Sequence, residues 1–372
     1  MSQKLKWIVG IVVAVIVIIW GYSALVKPSN TIKIGALLPL TGGLASYGEP
    51  AQKMADIALT DINANGGING RMLEIRYEDH KCDPKEMLSG FEKLLTENIH
   101  IFNSVACSAT VSSVAPNLEK DNALLLGTIT SASKLTGVSP YFYRNWASDG
   151  QEAKLLSEQI IQKNYKNIAV IYEETDYAKG LKLAMESDLK DSGVKIASES
   201  FVSGATDVRT QLTKLKSLKP DVVFISVQTV PSGEIVLTQM EQLGFKPKML
   251  INDNILKASS LLKNHTTLLE GAIGGDYYFK DSEKLNSALA EYKIKYGVDC
   301  PQKNICAAEY DAIQFLAQAI KSKGNSANGV KEYLSQNTYS GISGDISFDA
   351  NNDRNNSEYS LFVIKSGEAT RI

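Results

Sequence analysis

A marked excess of either charge is missing from the chain: 39 Lys and Arg stand against 41 Asp and Glu, a formal net charge of -2 over 372 residues. No field exists to hold a polyanion, so nucleic acid is not expected as a partner. Enzyme signatures are missing too. There is no G-x-S-x-G, no G-x-x-x-x-G-K-[ST], no H-E-x-x-H and no C-x-x-C, so nothing points to catalysis. Histidine is scarce. His80, His100 and His265 are scattered without metal-ligand spacing and read as solvated or loop residues. The stretch 349–355 echoes a calcium loop, with oxygen side chains at alternate positions from Asp349, but it lacks the glycine at the sixth position and has Ser360 at the twelfth. It reads as a polar turn between two C-terminal strands. No metal and no cofactor are expected.

Charge is also absent from one long stretch. Residues 7–26 contain no Asp, Glu, Lys or Arg and follow Lys4 and Lys6. A helix of about 20 residues at roughly 1.5 Å each reaches about 30 Å, the hydrocarbon thickness of a bilayer. Positive charge ahead of it sets the N-terminus in the cytoplasm and the remainder outside. Gly21 and Ser23 have the small-residue spacing of a cleavage site, yet the run exceeds the roughly 7 to 15 residues of a signal core. A retained membrane anchor is expected over a cleaved signal peptide, with the rest periplasmic or on the cell surface. No cysteine follows the run closely, which argues against lipid attachment.

Export changes the reading of the four cysteines, because an oxidising compartment favours disulfides over zinc or redox thiols. Cys82, Cys107, Cys300 and Cys306 allow three pairings. Cys82 with Cys107 and Cys300 with Cys306 closes two short loops and needs no contact between distant segments. A zinc site would show closely spaced ligand pairs.

The length suits two domains once the terminal segment is set aside. Apolar runs bounded by turn residues predict strands at 32–38, 73–77, 101–105, 123–127, 167–172, 221–227 and 249–251. Helical stretches lie between most of them. That at 51–64 carries Met54, Ala55, Ala58, Leu59 and Ile62 at helical spacing and stops at Asn65-Gly66-Gly67. The next opens at Asp83, with Pro84 in the first turn and Glu86 three residues after the cap. Alternating strand and helix calls for an α/β fold with parallel sheets covered on both faces. Ligands of such sheets sit at strand carboxyl ends, where loops lead into helix N-termini.

Five loops after strands carry candidate binding groups. The first, 40–48, is glycine-bearing and offers Tyr47 as a flat wall with a hydroxyl. The second, 106–110, opens a helix at Ser108, whose hydroxyl and backbone N–H can serve either as a cap or as an anion site. The third, 128–133, is again rich in hydroxyls. The fourth and fifth, 173–178 and 251–254, contribute Tyr177 and Asp253, the latter able to neutralise an ammonium group. Each alone reads as a cap or turn residue; their recurrence after several strand ends points to one ligand site.

These residues resemble the branched-chain amino-acid-binding family, the leucine/isoleucine/valine type of periplasmic binding protein, from about residue 31 to the C-terminus. The resemblance rests on 34–42 (IGALLPLTG) with Tyr47-Gly48, on 64–70 (ANGGING) and 79–84 (DHKCDP). It continues in Cys107-Ser108, 132–136 (ASKLT), Asp176-Tyr177 with Gly180, and 341–348. It implies two doubly wound, Rossmann-like lobes joined by three hinge crossovers, with the lobes taken as 31–148 plus 276–346 and 149–275 plus 347–372, behind the segment 1–30. It also implies a Cys82–Cys107 bridge; Cys300 and Cys306 are not a general family feature and read as a local staple. By position, Ser108 and Ser131 look like the contacts to the ligand's carboxylate and ammonium, Tyr47 and Tyr177 like pocket walls, and Asp253 like a family Glu shortened by a methylene. Thr130 and Ser131 are rivals for one role, and Ile129 stands where the family has a small residue, which reshapes the pocket. The implied function is a non-enzymatic, monomeric receptor. It would capture a small ligand, expected to be an amino acid, between the lobes and hand it to the permease of an ABC importer. A signalling receptor ectodomain of the same fold is the second reading. The ligand would dock on the first lobe through Ser108 and 129–131, and closure would bring up Tyr177 and Asp253.

Overall fold

The computed structural model describes residues 31–277, 281–355 and 359–372. The expected anchor at 7–26 lies outside the described residues. Among the described residues no helix is long and apolar enough to cross a membrane.

The first part of the chain runs β1 (Thr31–Leu38), α1 (Ala45–Ala64), β2 (Met72–Asp79), α2 (Pro84–Thr96), β3 (Ile101–Val105), α3 (Ser108–Leu118), β4 (Leu124–Thr128) and β5 (Phe142–Arg144). Its strands form a sheet in the order β2-β1-β3-β4-β5, each pair parallel. Every residue of β3 and β4 is buried, as expected for strands covered on both faces. One face takes Ala51, Ala55 and Ala58 of α1; the other takes Met87, Phe91 and Leu94 of α2 with Val111, Val114 and Leu118 of α3.

A second unit follows: α4 (Asp149–Gln162), β6 (Asn167–Glu173), α5 (Asp176–Leu189), β7 (Lys195–Phe201), α6 (Arg209–Ser217), β8 (Val222–Ser226), α7 (Val230–Gln242), β9 (Met249–Ile251), α8 (Asp253–Lys257), α9 (Ser259–Asn264), α10 (Thr266–Leu269) and β10 (Ile273–Tyr277). Then come α11 (Glu283–Tyr296), α12 (Lys303–Lys323) and α13 (Ala327–Gln336), the hairpin β11 (Tyr339–Gly341) and β12 (Gly344–Ile346), and last β13 (Tyr359–Lys365) and β14 (Glu368–Arg371). The second sheet has the order β14-β13-β10-β9-β8-β6-β7. It is parallel from β7 to β10, while β13 and β14 are antiparallel. It is thus mixed and not wholly parallel: β13 pairs antiparallel with β10, and a tight turn at Ser366-Gly367 folds β14 back antiparallel onto β13.

The chain is shared between the sheets. It leaves the first after β5 and supplies the second through β10. It then returns as α12, whose Ala312, Leu316 and Ile320 join the core under α1, and re-enters the second sheet at β13. The second sheet runs through Tyr277, two residues past the limit expected at 275.

Two local expectations change and one holds. Helix α1 begins at Ala45, not at 51, so Tyr47 sits in its first turn and not in a loop. Gly48 permits this start: a Cβ there would lie 2.1 Å from the Pro39 carbonyl oxygen. Two histidines are buried, not solvated. His80 Nδ1 accepts from the Cys82 N–H at 3.0 Å and its Nε2 lies 3.1 Å from the Val105 carbonyl, while His265 lies between Glu234 and Glu241 at 3.3 and 3.2 Å. Burial pushes the His80 pKa down to about 4. The turn at 349–355 lies between β12 and β13, where Asp349 Oδ1 accepts from the N–H groups of Asn351 and Asp353 at 2.8 and 2.9 Å.

Candidate functional site

Strands β1, β3 and β4 end side by side, with Leu37 level with Ser104 and Val105 with Thr128, so the loops beyond them converge. Disulfides join Cys82 to Cys107 and Cys300 to Cys306. The first ties the loop after β2 to the residue before α3. Backbone there is forced into the left-handed region: Ala106 and Cys107 have φ of 59° and 58°, Lys81 and Cys82 51° and 62°. Ile129, after β4, has φ 62°. A β-branched residue in that region is an outlier, and such strain gathers at binding sites.

Tyr47, Ser108, Ile129, Ser131, Tyr177 and Asp253 line one cavity together with Leu44, Ala106, Cys107, Gln228 and Asn254. Space not filled by atoms amounts to about 340 Å³, part of it open to solvent. Thr130 is the exception among the expected contacts. It is fully buried outside the lining, and its Oγ1 packs against Gly127, where a Cβ would lie 2.3 Å away. Of the two rivals only Ser131 borders the cavity, because the left-handed turn at Ile129 swings the Thr130 hydroxyl back onto β4.

The wall from the first sheet is suited to an anion. Ser108 opens α3, but the cap residue is Cys107 and makes no side-chain cap bond. The Ser108 Oγ instead accepts from the Ala132 N–H at 3.1 Å, which joins the loops after β3 and β4 and leaves the hydroxyl proton to donate. First-turn N–H groups and the positive end of α3 add to it. Arg144, fully buried, locks the neighbouring loop: its Nη1 donates to the carbonyls of Ser131 at 3.0 Å and Ala132 at 2.9 Å, and its Nε to Asp353 Oδ1 at 2.8 Å.

The opposite wall is acidic. Asp253, the first residue of α8, receives the Tyr177 hydroxyl on Oδ1 and the Lys257 ammonium on Oδ2 at 2.6 Å, and its N–H donates to Glu152 Oε1 at 3.0 Å. Asn252 donates to the Tyr177 hydroxyl oxygen and to the Val227 carbonyl, both at 2.8 Å. Lys257 also meets Asp276 of β10 at 3.4 Å. Burial raises several acids: Asp149 to about 8, Asp276 to about 6, and Glu152 well above the carboxylate range. Burial alone would depress Lys257, but Asp253 and Asp276 outweigh it and keep it charged. Burial also lifts Tyr47 to about 12 and Tyr177 well above the usual phenol, so both stay neutral donors.

The two walls touch. The Tyr47 hydroxyl donates to Asn254 Oδ1 at 2.6 Å, Gln228 Nε2 lies 3.4 Å from Cys82 Sγ, and Lys134 pairs with Asp176 at 2.5 Å. The sequence reading missed Gln228, Glu152, Lys257 and Asp276. Gln228 follows β8 as the strand-end rule would have it, and Lys257 is four residues beyond Asp253 on one helix. Asp276 and Glu152 carried no local signal.

A family model described as periplasmic binding protein matches residues 31–369. The chain belongs to that family. A curated relative is the leucine-, isoleucine-, valine-, threonine- and alanine-binding protein of Pseudomonas aeruginosa, 24% identical and covering 92% of each chain. Solved structures of similar fold include a leucine binding protein, LivK, from Thermotoga maritima, with TM-score 0.81 and 23% identity over 92% of this chain and 97% of that one. Another is LivJ from Streptococcus pneumoniae in complex with isoleucine, with TM-score 0.77 and 24% identity over 92% and 100%. Membership makes the chain a binding protein for a solute, while the amino acids named above are those of its relatives. Membership implies an extracytoplasmic location and a permease partner.

Proposed function

We propose that the protein captures a free amino acid in the cavity between its two sheets and delivers it to the permease of an ABC importer, acting as a monomer. One observation carries this reading: an anion-suited wall at Ser108 and the start of α3 faces an acidic wall at Asp253 across a single cavity, with Ser131 also on its lining. A zwitterion is complementary to that pair of walls. Its carboxylate meets the hydroxyls and first-turn N–H groups of α3, its ammonium meets Asp253, and its side chain lies against Tyr47, Ile129 and Tyr177. The lobes are taken as 31–148 with 278–346 and 149–277 with 347–372, the first limit moved by the run of β10 to Tyr277, hinged at the three crossovers, and residues 7–26 as the membrane anchor. Two disulfides support export.

A thermal-shift screen over the natural amino acids tests this. A ligand held only by the folded state at a hundredfold above its Kd adds about 2.7 kcal/mol and raises the Tm of a chain this long by about 4 °C. No shift with any of them refutes the amino-acid reading.

A further inference from the structure

The acidic wall is more than one carboxylate. Lys257 Nζ lies 2.6 Å from Asp253 Oδ2 and 3.4 Å from Asp276 Oδ1, with side-chain exposures of 14% for Lys257, 6% for Asp253 and 14% for Asp276. One cation is therefore shared by two acids from different elements, α8 and β10. Of the three, Asp253 borders the cavity while Lys257 and Asp276 stand behind it. With both acids ionised, the group holds one surplus negative charge out of water. A buried surplus charge is costly and calls for a counter-cation.

We propose that Lys257 and Asp276 are specificity-determining positioning residues: by sharing one cation between two carboxylates they leave a single negative charge, so the cleft selects ligands that bring one ammonium group. The proposal rests on the amino-acid reading and states what sets that selection. Asp253 alone does not suffice, because Lys257 already matches its charge; Asp276 restores the deficit that the ligand fills. Of the other titratable groups around this trio, Glu152 of α4, Tyr47 of α1 and Tyr359 of β13 sense Asp276, while Asp149 of α4 and Tyr177 of α5 sense Asp253. Burial holds the two acids in their protonated form and the three phenols neutral, so none of them changes the count at neutral pH. Burial raises Asp276 to about 6, with Lys257 pulling the other way. Above that pH the surplus charge is present; below it Asp276 takes a proton, the Asp253–Lys257 pair is neutral, and ammonium binding weakens.

The test uses the whole chain, calorimetry between pH 5 and 7.5, and as probes the natural amino acids plus the des-amino carboxylic acid of the one that binds tightest. The wild type is expected to lose affinity about tenfold per pH unit below pH 6. Asp276→Asn is expected to bind roughly tenfold or more weakly at pH 7, with a flat profile. In that variant the des-amino acid gains on the amino acid. Adding Lys257→Met to Asp276→Asn removes one charge of each sign, returns the surplus, and restores most of the lost affinity while the profile stays flat. Melting curves identify a misfolded variant, and the wild-type pH profile decides without any substitution. An Asp276→Asn protein with wild-type affinity and wild-type pH dependence overturns the proposal and leaves the amino-acid reading standing. Binding of the des-amino acid alone, or of no probe, removes both.

Discussion

Replacing Cys82 and Cys107 by Ala tests how the fold holds the anion-suited wall. The bridge spans a sequence separation of 25 residues, and loop entropy for a closure of that size is worth about 3.5 kcal/mol. For a chain of this length unfolding as one unit, the loss lowers Tm by about 5 °C. The bridge also clamps Lys81, Cys82, Ala106 and Cys107, all with positive φ, and such backbone persists only where its surroundings impose it. Once released, Ala106 and Cys107 relax and the start of α3 shifts, so Ser108 loses its place opposite Asp253. Stability and ligand affinity should therefore fall together. Scanning calorimetry of the oxidised wild type and the double variant, followed by titration with the ligand below the lower Tm, measures both. The Cys300–Cys306 bridge stays intact in each. A Tm within about 1 °C of wild type and an unchanged affinity would refute the reasoning.

Glu309 of α12 is fully buried, and burial pushes its pKa up to about 8 against 4.5, with Asn103 and Thr128 only partly offsetting it. A folded-state value above the unfolded one means stability that is complete below about pH 4.5 and lost as pH rises through 8. Glu309→Gln should therefore gain on the wild type by up to about 5 kcal/mol between pH 4 and 8 in urea unfolding; parallel pH curves would contradict this. Arg144→Met strands the Asp353 carboxylate and the carbonyls of Ser131 and Ala132. Breaking a buried pair of this kind costs about 3 to 5 kcal/mol, and Arg144→Lys, lacking the planar fork, should restore little of it. Both variants should also bind ligand more weakly, since Arg144 fixes the Ser131 loop.

Much of the cavity was legible because parallel sheets concentrate loops at strand carboxyl ends. Finding the strands at 101–105 and 249–251 was enough to bring Ser108 and Asp253 into view. The apolar runs of β3, β4 and β8 announce themselves since both faces are buried. β7, with Lys195 and Glu199 in it, is an edge strand whose charges reach water, and β5 has only three residues. The choice between Thr130 and Ser131 turned on a left-handed φ at Ile129, a conformation that the residue type argues against. Lys257 and Asp276 acquire their meaning only when α8 and β10 are brought alongside, a tertiary fact with no period in the sequence. The buried His80 misled for a related reason: its two hydrogen bonds come from Cys82 and from the end of β3, which the fold brings over it.

The central claim is that Ser108 and Asp253 hold opposite ends of one zwitterion. It is tested most directly by calorimetric titration of the amino acid found by thermal shift into the wild type, Ser108→Ala and Asp253→Asn. Each hydrogen bond to a charged group is worth about 1.5 to 3 kcal/mol, so each substitution should weaken binding by about tenfold to a hundredfold while the melting curve stays cooperative. Two variants that fold and bind with wild-type affinity would contradict the account.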